Sequence, residues 1–133
     1  MENLSLKLYW AARIVAAITL LQTLYFKFSA SDESVYIFTT VGMEPWGRIA
    51  VGILELIVAV LLLLNGTVWL GGLLALGLMA GAIGMHLTLL GISVQGDGGY
   101  LFMLAVIVSL CSSFIVFKNT DAILKCYYKL RRT

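Results

Sequence analysis

The sequence predicts an all-α membrane four-helix bundle, with four transmembrane helices and both termini cytoplasmic. Three observations carry that prediction. Of the 133 residues, 61% are hydrophobic and only 12% are charged, whereas a water-soluble domain carries about 25% charged residues. The apolar residues gather into four runs, each long enough to cross a hydrocarbon core of about 30 Å as a helix. Finally, the few Lys and Arg residues fall unequally on the two faces that such a bundle presents.

The spans are expected at residues 6–28, 48–64, 67–90 and 100–117, all within one membrane domain covering 1–133. Asn65 and Gly66 stop the second run sharply, and Thr67 is placed to cap the helix that follows. So short a link makes spans two and three antiparallel neighbours. Gly96, Gly98 and Gly99 loosen the chain before the fourth span. Between spans one and two, Ser31 can cap a short helix with Asp32 and Glu33 in its first turn, favourable at the positive end of the helix dipole. Val35, Phe38 and Val41 would line one face before Gly42 and Pro45 end it. This predicts an interfacial helix over the outer mouth of the bundle. Residues 118–133 form a basic cytoplasmic tail. Ile123, Leu124, Tyr127 and Tyr128 against Lys125 and Lys129 predict a second interfacial helix, resting on anionic lipid or docking a cytosolic partner.

Lys7, Lys118, Lys125, Lys129, Arg131 and Arg132 lie at one membrane face. Lys27 and Arg48 lie at the other, beside Asp32, Glu33, Glu44 and Asp97. The positive face is cytoplasmic by the positive-inside rule, so both termini of this multi-pass chain are expected on the cytoplasmic side. Tyr9, Trp10 and Trp69 fit the inner aromatic belt; Tyr25, Tyr36, Trp46 and Tyr100 fit the outer one. The first run continues without a small-residue cleavage site, so no cleaved signal is expected. Cys111 and Cys126 lack C-x-x-C spacing, which supports neither a dithiol nor a zinc site. With His86 the single histidine, a bis-histidine haem is excluded and no metal site is expected. No nucleic-acid partner is expected.

The intramembrane polar residues are the candidate site. Glu55 stands in the apolar run from Ile49 to Leu64, roughly 10 Å below the membrane surface at about 1.5 Å rise per residue. An uncompensated carboxylate there costs on the order of 2.5–3.5 kcal/mol, so it should face inward and have a partner. Arg48, Gly52 and Glu55 fall at i, i+4 and i+7, on one stripe of the second helix. The third helix enters from inside and brings His86 to about 6 Å below the outer surface. Lys27 closes the first span at that surface. Glu55, His86, Lys27 and Arg48 are therefore expected to meet in an outward-facing cavity beneath the Ser31–Val41 helix. Within it, Glu55 and His86 should come within hydrogen-bonding reach or one water of it, and Arg48 is the rival partner of Glu55. A second reading of the same residues is a structural knot that only fixes helix register. Gln22 lies near the depth of Glu55 but projects from the other side of its helix. Arg13, about 20 Å from the outer surface, is expected to bond Ser109, Ser112 and Ser113 or to reach inner-leaflet phosphates. Gly77, Gly81 and Gly84 on one side of the third helix, and Gly72, Ala75, Met79 and Ala82 in line with His86, are read as close-packing surfaces.

Together these residues resemble the DoxX-like family of small four-span membrane proteins. The likeness covers about residues 10 to 118: Arg13 early in the first span, Lys27-Phe28 closing it, then Gly42 and Pro45. It continues with Gly52 and Glu55 as G-x-x-E, and with Met79, Ala80 and Ala82 leading to His86. The resemblance implies a four-helix bundle in a bacterial cytoplasmic membrane, sometimes a partner subunit of redox systems that pass electrons to quinone. The leading expectation is a protein that binds a hydrophobic molecule with a polar head, a quinone or lipid. Glu55 and His86 would contact the head group and could relay protons, with Lys27 and Arg48 supplying positive charge. No redox centre of its own is legible, so any redox role would be as the membrane half of a complex. The alternative is a non-catalytic accessory or assembly protein packing against membrane or cytosolic subunits, or against a second copy of itself.

Overall fold

A computed structural model describes all 133 residues. Runs of Leu, Ile, Val and Ala free of internal proline form the four long helices: α1 (Glu2–Phe28), α3 (Trp46–Leu63), α4 (Val68–Met85) and α5 (Tyr100–Lys118). The short α2 (Asp32–Thr40) and the tail helix α6 (Thr120–Arg131) complete the fold, and there is no strand. All four long helices are long and apolar enough to cross a membrane, α4 when counted through Leu90. Their outward faces carry Ile14, Ile18, Leu21, Ile53, Ile57 and Leu110, all exposed. In water such faces would be an aggregation surface; in lipid they are solvated. The fold is that of a membrane protein.

The boundaries depart from expectation in two places. α1 starts at Glu2 rather than residue 6. The third run does not stay α-helical to Leu90: from His86 to Leu90 the chain widens into a π-helical turn, which Gly91 ends at φ +79°. π turns of this kind occur mostly as single turns at the end of, or inside, α-helices. Here it coincides with a hydrogen bond from the His86 ring to the Gly91 carbonyl.

Each long helix packs on two neighbours, in the cyclic order α1–α3–α4–α5. The solid core occupies the half nearest the chain termini. Ala12, Ala16, Ala17 and Leu20 of α1 meet Val58, Ala59 and Leu62 of α3, Val68, Ala75 and Met79 of α4, and Ala105, Val108 and Ile115 of α5. Small residues allow the close approach. A Cβ at Gly71 would lie 2.8 Å from the Leu62 backbone nitrogen, and one at Gly72 would lie 3.0 Å from Ile115. The predicted face of Gly72, Ala75 and Met79 is therefore a packing face. Gly77, Gly81 and Gly84 are not, since nothing lies within 4 Å of a Cβ built on any of them. Both termini emerge at one end, where Lys118 donates to Ser5 Oγ and Asn119 donates to the Tyr9 hydroxyl.

α2 closes the opposite end. Ser31 is its N-cap, its hydroxyl oxygen accepting from the Ser34 N–H at 3.3 Å, and Asp32 and Glu33 occupy the first turn. Phe38 points inward as expected, joined by Ser34 rather than by Val35 or Val41, which are only half-buried. α6 is helical as expected and buries none of its residues completely.

Candidate functional site

Toward the end capped by α2, the four long helices no longer fill the space between them. A cavity of about 330 Å³ remains, and 15 of its 25 lining residues are hydrophobic. That is within the usual range of small-molecule sites, about 300–1,000 Å³, and has their usual character of apolar walls with a few polar groups. Ser34, Ile37 and Phe38 of α2 form part of its lining, Leu101 and Leu104 of α5 one wall, and Gly77 and Gly81 of α4 an exposed flank.

Glu55 is buried on the inward stripe of α3 with Arg48 and Gly52. Its partner is Lys27, whose Nζ lies 3.0 Å from Glu55 Oε2, with the two side chains only 15% and 6% exposed. So little exposure removes the screening that makes surface pairs nearly worthless, and each ion is costly to bury without the other. Thr23, one turn before Lys27, adds a hydroxyl at 3.1 Å from the same oxygen; it also lies 2.8 Å from the Leu20 carbonyl, so its single proton can go to either. Thr19, Thr23 and Lys27 all line the cavity. Their spacing of four residues, one polar stripe on an otherwise apolar helix, was the available signal for the two threonines.

His86 lines the same cavity, but no hydrogen bond joins it to Glu55. The direct bond is not made, and each group has another partner within the protein. His86 Nδ1 is 2.8 Å from the Gly91 carbonyl, which can only accept, so Nδ1 carries the proton and Nε2 is left as an acceptor in the neutral ring. The ring also meets Phe102 edge to face, with centroids 5.6 Å apart.

Arg48 does not join the site. Its guanidinium is held by Glu44, one turn earlier, with Nε at 2.9 Å and Nη2 at 2.8 Å from Oε1, and it also donates to the Lys27 carbonyl. It thus ties the start of α3 to the end of α1. Gln22 is exposed and donates to the Tyr100 hydroxyl at 2.9 Å, outside the polar cluster as expected. Arg13 does not bond the serines; its guanidinium is buried and held by groups at the end of α3. Nε donates to the Leu62 carbonyl at 2.8 Å, Nη2 to the Leu63 carbonyl at 2.9 Å and Nη1 to Asn65 Oδ1 at 2.9 Å. The guanidinium lies 3.8 Å from the Trp10 ring centroid. The last carbonyls of a helix have no partners within it and carry its negative dipole end, which is where a cation belongs. Ser109 and Ser113 instead donate to carbonyls of their own helix. Thr67 sits at the start of α4 but donates back to the Leu61 carbonyl, so the predicted cap is not made.

Glu33 is a site residue that the charge pattern disguised as a helix-dipole acid. It lines the cavity, and its Oε1 is buried without a hydrogen-bond partner. Burial first, and then the nearby Asp97 carboxylate, push the Glu33 carboxyl above its ordinary range. Asp97 goes the other way. Its own burial pushes it up, but N–H groups of Val94, Gly99 and Leu101 outweigh that and hold it low. Those three bonds, at 2.9, 2.8 and 3.1 Å, shape the loop between α4 and α5.

The arrangement can accept an apolar body among the helices and present a polar head with Lys27, Thr23, the Nε2 side of His86 and two carboxylates. Compared with known proteins, the chain matches no family model, no curated protein and no solved structure.

Proposed function

We propose that this chain binds a hydrophobic molecule with a polar head, a quinone or a lipid, in the cavity beneath α2. The carrying observation is the coincidence of one mostly apolar cavity with the buried Lys27–Glu55 pair and His86 in its lining. Intramembrane ionisable groups are expensive and concentrate where ligands or protons are handled. A head group reaching the cavity would meet a cation at Lys27, acceptors at Glu55 and His86 Nε2, and a hydroxyl at Thr23. The proposal includes a DoxX-like affiliation and an inner-membrane location with cytoplasmic termini, supported by the residue order and the Lys/Arg bias of the sequence. Any redox role would be that of a membrane subunit in a larger complex.

A second reading, an accessory or assembly protein, is favoured by α6. That helix leaves Leu124, Tyr127, Tyr128 and Leu130 exposed next to its basic residues, a surface suited to a partner or to the lipid headgroups.

Native mass spectrometry of protein released from mild detergent separates the two. A ligand-binding protein retains an amphiphile adduct, and Glu55→Gln, which keeps shape and removes charge, lowers retention about tenfold with the fold intact. Retention equal to wild type in Glu55→Gln leaves only the accessory reading.

A further inference from the structure

Glu33 has an unmet requirement. A buried carboxylate oxygen without a donor is costly, and native structures almost always supply one. The two cations at this end of the bundle are engaged elsewhere: Lys27 with Glu55, and Arg48 with Glu44. In the loop between α4 and α5, the N–H groups of Val94, Gly99 and Leu101 are taken by Asp97. The charged group whose field acts on Glu33 is that same Asp97, a second negative charge. Backbone capping of α2 falls to Ser31, so Glu33 is not used there. Lys27 and Glu55 cancel each other in the cavity wall, which leaves Glu33 as the uncompensated acid of the lining.

We propose that Glu33 makes this cavity selective for an amphiphile whose head group carries a protonated primary amine, its N–H donating to Glu33 Oε1. The assignment rests on the reading of the cavity as an amphiphile site and names the head group. An ammonium supplies at once the two things Glu33 lacks, a hydrogen-bond donor and a positive charge, and charge-assisted bonds are the stronger kind. A hydroxyl supplies only the donor; a quaternary ammonium supplies only the charge. The raised Glu33 carboxyl is in keeping with this, since a cationic partner would offset the burial and the Asp97 field that raise it.

Three single-chain probes dissect the claim: dodecylamine, dodecyltrimethylammonium and dodecanol, titrated into the full chain in nanodiscs. Dodecylamine should bind the wild type about tenfold tighter than either of the others. Glu33→Gln should abolish that preference, so that the three probes bind with similar affinity. Asp32→Asn, which removes an exposed acid from the same turn, should keep the preference. Equal affinity for all three probes in the wild type overturns the amine assignment but spares the cavity as an amphiphile site. A preference for dodecylamine that persists in Glu33→Gln overturns the assignment in the same way. Failure of all three probes to bind overturns both.

Discussion

Arg13 shows how much one side chain can organise. Its forked guanidinium answers three acceptors, two carbonyls at the end of α3 and the Asn65 side chain, and lies over the Trp10 ring. Lysine has one nitrogen and cannot reach all three. Arg13→Leu should therefore lower stability by about 3 kcal/mol or more, leaving the carbonyls unpaired in a low-dielectric setting. Arg13→Lys should fall between that variant and the wild type. Thermal unfolding in detergent checks the order; an unchanged midpoint in Arg13→Leu would mean that these bonds contribute nothing. The sequence placed Arg13 toward the end of the bundle that holds the termini, but level along the axis could not choose among partners. Serines on α5 were plausible by level, whereas the actual partners are backbone groups, which every residue carries and no residue type advertises. Glu55 was legible as a buried group in need of a partner for the opposite reason: a carboxylate in an apolar run has few means of escape. That its partner is Lys27 rather than His86 or Arg48 depended on side-chain reach. Arg48 found Glu44 four residues earlier, in the turn just before its helix, a spacing at which the charges can be seen in the sequence.

Among the helices, length and span position were readable because hydrophobicity reports them directly. Which side of α4 faces its neighbours was less so, because glycine and alanine populate nearly its whole circumference. The structure resolves it: Gly71 and Gly72 meet neighbours, while Gly77 and Gly81 flank the cavity. Opposite effects should follow from substitution. Gly71→Ala places a Cβ 2.8 Å from the Leu62 nitrogen and 3.0 Å from the Leu61 carbonyl carbon, atoms that can move only with the helix. It should destabilise by about 1–3 kcal/mol through overpacking. Gly81→Ala meets open space and should be neutral or stabilise by up to about 1 kcal/mol, since alanine is the better helix former. Unfolding measured on the two variants side by side gives the sign. Loss of stability in both would mean that α4 packs by its other face. The π turn at His86 was beyond the reach of pattern reading, since Leu87, Thr88, Leu89 and Leu90 continue an apolar run that fits an α-helix equally well.

Taken together, the chain divides its length into a packed half and an open half. The half near the termini is filled by alanine-rich contacts and locked by Arg13; the half beneath α2 keeps a cavity. The bundle, its four spans and the covering helix were legible from the sequence. The cavity was legible only as a cluster of polar residues, and Glu33 was hidden because an acid in a first helical turn already has an adequate explanation.

His86 is the single histidine of the chain, so its imidazole nitrogens can be followed by NMR without assignment in protein carrying 15N-histidine. Its two nitrogens have different duties: Nδ1 is held by Gly91, and Nε2 is left without a protein partner. Titration of dodecanol into the full chain in nanodiscs tests the central claim, that the cavity beneath α2 receives an amphiphile head. The expected result is a saturable shift of the Nε2 resonance, with Nδ1 nearly unmoved. No shift of either resonance, or a drift of both that never saturates, would contradict it.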